Sequence, residues 1–329
     1  MAVTIVEIAK ELNLSHSTIS RVLNGKAKNF ISNKTQELVL DKAKEMGYTP
    51  NYHARALVTG KTKTIAFVGG YDLPDALYGL LIKEVRKMTL EKGYEVITGD
   101  PNTFLKISID GMIGYGLCNF KAIRKLNIPI VDVEIGNNPP VMERIFDTVI
   151  VDVSDGFRFF LDHLYGEGCR DIAFVHTNAI EEWIRRKEPR AVLYREFVAK
   201  HGLTERYVDI KHHTREMIAD EFYDYLQKNQ KSDAYVCTND NTALGVISAL
   251  YRSGFSVPDD ALVTGFDGMP DTKTSIPPLT TLDIDYKHAL QVGIDLLMEK
   301  LLNNESSSKK VEVIKARAEI RESAQRKST

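Results

Sequence analysis

The chain of 329 residues sets 43 Lys and Arg against 45 Asp and Glu, and its 43% hydrophobic and 27% charged content leaves room for two or three soluble domains. Charges interrupt its apolar runs well short of membrane-spanning length, and the N-terminus enters a polar helix rather than a signal-peptide core, which argues against a membrane protein and for a cytoplasmic one. Cys118, Cys169 and Cys237 lie far apart at neither metal-ligand nor disulfide-framework spacing, as expected of small core residues in a reducing compartment.

The chain opens with three predicted short helices. Thr4 followed by Glu7 is a capping-box pattern, and Ile5, Ile8, Ala9 and Leu12 recur at helical spacing, so the first helix starts at Thr4 or Ile5. After a turn at Asn13 and Leu14, Ser15 is placed to cap a second helix with Ile19, Val22 and Leu23 inward and His16, Ser17, Ser20 and Arg21 outward. That outward face is short, polar and basic, which suits a recognition helix in a major groove; a small helical bundle without a ligand is the plainer alternative. A third helix turns Leu38, Val39, Ala43 and Met46 toward the other two and ends at Gly47.

Tyr48-Thr49-Pro50-Asn51 then forces an extended path, and the following YHARALV is too short to hold a helix without partners. Residues 1 to 61 carry nine Lys and Arg against five Asp and Glu, a balance of +4 that leaves −6 on the remainder, so one end of the chain favours phosphate contact.

From Thr64 onward β-branched and aromatic runs alternate with helical stretches: TIAFVG, YEVIT, DGMIGYG, IPIVDV, TVIVDV, DIAFVH, YVDIK, AYVCT and ALVTGF. This alternation predicts parallel sheets with helices on both faces, in more strands than one compact unit holds. Only about a dozen residues separate YEVIT from DGMIGYG, too few for an ordinary crossover helix, which puts the sheet order or edge there in question. Catalytic patterns are thin. IAFVGGYD lacks the glycine spacing of a phosphate loop, His212-His213 has no partner carboxylate at metal-ligand spacing, and no nucleophile elbow occurs. The reading is therefore of a binding protein with no metal and no cofactor, against the alternatives of a doubly wound enzyme or a solute-binding receptor.

SHSTISRVLNGK, GYTPN and HARALVTGKT resemble the DNA-binding head of the LacI/GalR transcription regulators, and DGFRFFLDHL, TNDNTALGVISAL, VTGFDGMPD, IPPLTTLDID and IRES resemble the family's effector-binding core. These segments span nearly the whole chain in the family's order. The resemblance implies an all-α helix-turn-helix head on an α/β two-lobed periplasmic-binding-protein-like body: head 1–50, hinge helix and linker 51–61, and an effector-binding and dimerisation domain 62–329. Its first lobe is expected over about 62–167 and 283–316 and its second over about 168–282 and 317–329, with crossings near Gly168, Asp283 and Ala316.

The resemblance further implies DNA contacts from His16, Ser17, Ser20, Arg21 and Asn24 in the head and from Asn51, Ala54 and Leu57 in the hinge, where Leu57 matches a leucine wedged between base pairs. It places effector contacts at Asp155, Arg190, Asn239 and Asp267, with Tyr71, Tyr78 and Trp183 as aromatic candidates, in a site whose polar groups suit a polyhydroxylated ring. Asp240 reads instead as a structural residue at a helix start. The implied partners are a near-palindromic operator, a second copy of the chain and a carbohydrate effector, with a purine-type corepressor as the alternative. No leucine heptads follow IRES, so a dimer is expected and not a tetramer. The turn GKAKNFIS is slightly longer than the family's and is expected only to lengthen a loop.

Overall fold

A computed structural model describes residues 3–23, 25, 27, 30–48, 60–69, 75–117, 123, 125–136, 145–177, 180–185, 187–303 and 309–326. The chain divides into two compact units, Met1–Thr62 and Lys63–Thr329.

In the first unit, helix α1 (Ile5–Leu12) begins with a complete capping box: the Thr4 N–H donates to Glu7 Oε2 at 2.7 Å while Thr4 Oγ1 accepts the Glu7 N–H at 3.3 Å. Each satisfies a donor that the helix start leaves open. Helix α2 (His16–Leu23) is capped by Ser15, whose Oγ accepts the Thr18 N–H at 3.1 Å, and α3 (Asn33–Glu45) by Ser32 in the same way. At the end of α3 the Tyr48 N–H reaches the Ala43 carbonyl and the Gly47 N–H the Lys44 carbonyl, with Gly47 at φ +67. This double turn-back needs a left-handed residue, which Gly47 adopts without a Cβ penalty.

Ile8, Ala9, Ile19, Val22, Ala27, Val39 and Ala43 form the head's core, with Leu23 and Met46 packed against it. The inward placement of Leu38 is corrected: it is 51% exposed. Val39, Ala43 and Met46 make the i, i+4, i+7 stripe, and Leu38 sits about 100° around the helix from Val39. The linker and hinge readings, with Asn24, Asn51, Ala54, Leu57 and Tyr71, fall outside the described residues, as does Cys118.

The second unit holds two six-stranded sheets. Strands β1 (Thr64–Gly69), β2 (Glu95–Thr98), β3 (Gly111–Tyr115), β4 (Ile130–Ile135) and β5 (Asp147–Asp152) join β11 (Val311–Lys315) in the order β11-β5-β4-β3-β1-β2, all parallel. Strands β6 (Ile172–Thr177), β7 (Arg206–Ile210), β8 (Ala234–Cys237), β9 (Leu262–Asp267) and β10 (Thr280–Asp283) join β12 (Arg317–Glu319) in the order β12-β10-β9-β8-β6-β7, with β12 antiparallel to β10. β3, β4, β6, β8 and β9 are buried along nearly their whole length, as parallel strands covered on both faces must be. β10, β11 and β12 add to the nine runs read from the sequence.

The short segment between β2 and β3 leaves the sheet order regular. A single 3-10 turn, Thr103–Leu105, replaces the crossover helix, and its buried Phe104 packs with Ala66, Val68 and Met112 on the sheet face a longer helix would cover.

Helix α4 (Asp75–Glu91) follows β1, and α5 (Ser154–Gly166) follows β5. Then come α6 (Ile180–Arg185), α7 (Pro189–His201), α8 (Arg215–Lys228), α9 (Asp240–Arg252) and α10 (Tyr286–Asn303). The first crossing is corrected from near Gly168 to just after Asp152, because α5 packs on α7 and β12 and so belongs to the second lobe. Gly156 makes that seating possible: a Cβ there would stand 2.4 Å from a methyl of Leu282 on β10. The chain returns after Asp283 into α10, which lies on β3, β4, β5 and α4, and it passes from β11 to β12 through Ala316.

Candidate functional site: a helix face and an interlobe cleft

On the head, His16, Ser17 and Arg21 are exposed along α2 and Ser20 is half-buried. Beyond capping the helix, the Ser15 hydroxyl lies 2.8 Å from those of both Ser17 and Thr18, so the row begins in a fixed hydroxyl cluster. The Arg21 guanidinium carbon sits 5.7 Å from the centre of the Phe30 ring. Phe30 did not figure among the residues read from the sequence, because nothing local marks a loop aromatic as the neighbour of a helix face.

In the body, the carboxyl ends of β3, β8 and β9 and the start of α7 converge, the place where ligands of open α/β sheets bind. Arg190, second in α7, donates through Nε to Glu188 Oε1 at 2.6 Å and through one terminal nitrogen to the Thr238 carbonyl at 2.5 Å, and its guanidinium covers the Phe266 ring at 4.4 Å. Glu188 also caps α7 by accepting the Ala191 N–H at 3.1 Å. The guanidinium is thus held on three sides.

Asp267 ends β9 at φ +114, a left-handed conformation rare for a residue with a side chain, and is 4% exposed. Burial and the neighbouring Asp240 push its carboxyl well above the usual range, against the pull of Arg190. A carboxyl so placed holds its proton to higher pH than an ordinary carboxylate, and in that form it can donate as well as accept. Asp240 lies beneath it, accepting the Met269 N–H at 2.7 Å and the Thr281 hydroxyl at 2.5 Å, and burial pushes its carboxyl up to about 7. Both partners are protein groups, in keeping with a structural reading of Asp240. Asn239 is half-buried and caps α9, its Oδ1 accepting the Thr242 N–H at 2.7 Å.

Tyr115, the last residue of β3, was missed by sequence reasoning. It is 4% exposed, its hydroxyl has no hydrogen-bond partner among the described residues, and it lies close enough to Asp267 and Arg190 to feel both charges, although burial is the main cause that raises its phenol. The first lobe therefore contributes a buried, unpaired hydroxyl to a cluster built by the second. Its position at the carboxyl end of a predicted strand was the available signal. The Thr238 hydroxyl is buried without a partner among the described residues, and its carbonyl holds the same guanidinium. The lobes also touch where Gly136 follows β4: a Cβ there would fall 2.3 Å from the Pro189 ring.

The other proposed contacts stand differently. Asp155 is exposed on α5 and takes Lys315 Nζ at 2.8 Å, a contact that lowers its carboxyl. Tyr78 is half-buried on α4, stacked on Phe67 with ring centres 5.7 Å apart and hydrogen-bonded to Thr98. The Trp183 side chain lies outside the described residues. His212 and His213 are exposed, and among the described residues no group of three His, Cys, Asp or Glu could hold a metal ion. No helix among those residues is long and apolar enough to cross a membrane.

Residues 4–51 match the family description "bacterial regulatory proteins, lacI family", and residues 161–324 match a periplasmic binding protein-like domain. The NTD biosynthesis operon regulator NtdR of Bacillus subtilis is 29% identical, over 97% of this chain and 99% of its own length. A crystal structure of the lac repressor dimer bound to operator and the anti-inducer ONPF superposes with a TM-score of 0.82 at 20% identity, covering 98% of this chain and 99% of that one. A complex of the transcriptional regulator CelR with cellobiose gives 0.65 at 21% identity, covering 98% and 99%.

Proposed function

From the premise that the chain belongs to the lacI family of bacterial regulatory proteins, we propose that it is a cytoplasmic, sequence-specific repressor of transcription that acts by binding and not by catalysis. The observation that carries this reading is the capped, outward row of His16, Ser17 and Arg21 on the second helix of a lacI-type head. A helix face presenting a guanidinium, an imidazole and hydroxyls can meet base edges and phosphates of a major groove at once. Two copies related by a two-fold axis each read one half of a near-palindromic operator, with Ser20 and Asn24 as further contacts of the head and Asn51, Ala54 and Leu57 as those of the hinge in the minor groove.

The effector is a neutral polyhydroxylated molecule of the carbohydrate class, held in the cleft by Arg190, Asn239 and Asp267. Asp267 accepts or donates as its proton allows, and the clamped guanidinium of Arg190 sets a fixed positive group beside it, a pair that suits adjacent ring hydroxyls. Asp155, Tyr71 and Tyr78 belong to the same proposal as outer contacts. An effector that prefers one arrangement of the lobes changes operator affinity only by its difference in affinity for the two arrangements.

The test has two arms. Selection of duplexes from a random library by the full-length protein should enrich one near-palindromic sequence, and failure to enrich any would overturn the regulator reading. A thermal-shift screen with sugars, sugar phosphates and purines should give its largest shift with a neutral sugar; a purine giving the largest shift would replace the carbohydrate assignment.

A further inference from the structure

Phe30 is 77% exposed, yet its own backbone is tied to the head's core. The N–H groups of Phe30 and Ile31 both donate to the Ala27 carbonyl, at 3.0 and 3.1 Å. Ala27 is buried in the head's core, Ile31 packs against that core, and the Gln36 side-chain amide donates to the Ile31 carbonyl at 2.7 Å. With the backbone anchored on both sides, the turn aims the ring outward. The ring then meets one group of opposite character, the Arg21 guanidinium at 5.7 Å, within cation–π range. Arg21 lies on the exposed row of α2, so the ring borders that row, in a segment whose sequence also carries Lys26 and Lys28. An aromatic ring left in water contributes nothing to the free head's core; it contributes when a ligand covers it.

We propose that Phe30 is a specificity-determining residue of the DNA interface. It holds the Arg21 guanidinium over its ring, so that the arginine meets the duplex already oriented, and its free edge packs on a deoxyribose or thymine methyl of the half-site. An arginine pre-positioned in this way loses less rotamer freedom on binding than one that swings freely. Phe30, within the longer turn GKAKNFIS, is then part of the reading surface. The inference rests on the DNA-binding reading of the head.

The experiment uses the full-length protein, the duplex it enriches from a random library and a scrambled duplex of equal composition, read by fluorescence anisotropy at one salt concentration. Phe30→Ala should weaken the enriched duplex by about threefold to thirtyfold, the range of a cation–π contact between exposed and desolvated settings, and the scrambled duplex by less than about twofold. Phe30→Trp should restore most of the loss, and in an Arg21→Ala background Phe30→Ala should lose most of its effect. An Arg21→Ala protein that weakens while Phe30→Ala does not would overturn the inference and leave the DNA reading standing, as would equal losses on both duplexes. If the wild-type protein enriches no duplex, the DNA reading itself falls.

Discussion

The outward face of α2 and the floor of the interlobe cleft are built in opposite ways. His16, Ser17 and Arg21 come from six consecutive residues, are exposed, and owe their placement to one helix and its Ser15 cap. Tyr115, Arg190, Asp240 and Asp267 come from four elements spread over more than half the body, are partly or wholly buried, and owe their placement to two sheets and their crossings. The difference teaches where function and stability are separable. On the helix face a side chain can be removed without opening the core, whereas in the cleft Arg190 and Asp240 also hold the fold through hydrogen bonds.

The sharpest break of that comparison is Asp240→Ala, which strands the Met269 N–H and the Thr281 hydroxyl in a buried site and should destabilise the body by about 3 kcal/mol. Denaturant titration followed by tryptophan fluorescence measures it, and a loss under about 1 kcal/mol would show that the cleft floor is as separable as the helix face.

Arg21→Ala comes next in size and in the other currency: about 1 to 3 kcal/mol of binding to the enriched duplex, with the melting temperature unchanged. A drop in melting temperature alongside the lost affinity would erase the contrast from the head's side.

The pH dependence of the body sharpens the same point. Burial raises Asp240 to about 7 and Asp267 well above its ordinary value, so between the unfolded and folded values the folded state binds more protons than the unfolded one. Stability contributed by these two groups is fully present below about pH 4, and the Asp240 share is lost as pH rises through about 7, with Asp267 acting in the same direction. The body should melt at a lower temperature at pH 8 than at pH 5.5, and Asp240→Asn should flatten that slope. A slope unchanged in the variant would assign the effect to other groups.

Thr4→Ala should cost the head about 1 kcal/mol by opening the capping box of α1, measurable as an earlier thermal transition of the head. The smallest stability effect is expected at Tyr115→Phe, which removes a buried hydroxyl that has no partner, so the fold should hold or gain slightly, by less than about 1 kcal/mol, while the sugar-induced thermal shift shrinks. Tyr115→Phe is thus the cleft variant that behaves most like a helix-face variant. A body destabilised by it would mean the hydroxyl is bound after all.

Several features were legible because their causes are local. Thr4 with Glu7, Ser15 before α2 and Gly47 after α3 announce helix ends through hydrogen bonds that span three to five residues, and the structure forms each of them. Leu38 misled because its neighbours Val39 and Leu40 give no clue to which of three adjacent apolar residues points inward. The crossing near Gly168 misled for a related reason. Helix α5 is amphipathic wherever it packs, and only its packing on α7 and β12, with Gly156 against Leu282, shows that it lies in the second lobe.

Asp267 and Arg190 were named from the family resemblance, yet their chemistry could not be read there. That Arg190 is clamped by Glu188 and the Thr238 carbonyl, and that Asp267 is pushed toward its protonated form, depends on residues far away in the chain. By itself the sequence determined what short-range hydrogen bonds and hydrophobic periodicity can determine: the capped helices of the head, the parallel α/β strands of the body and their order along the chain. Tertiary structure alone decided that β3 delivers Tyr115 to Asp267, that a loop ring lies under Arg21, and that two buried carboxyls share one site. Desolvation and Coulomb interaction act through space, and their strength is set by distances that no spacing along the chain encodes.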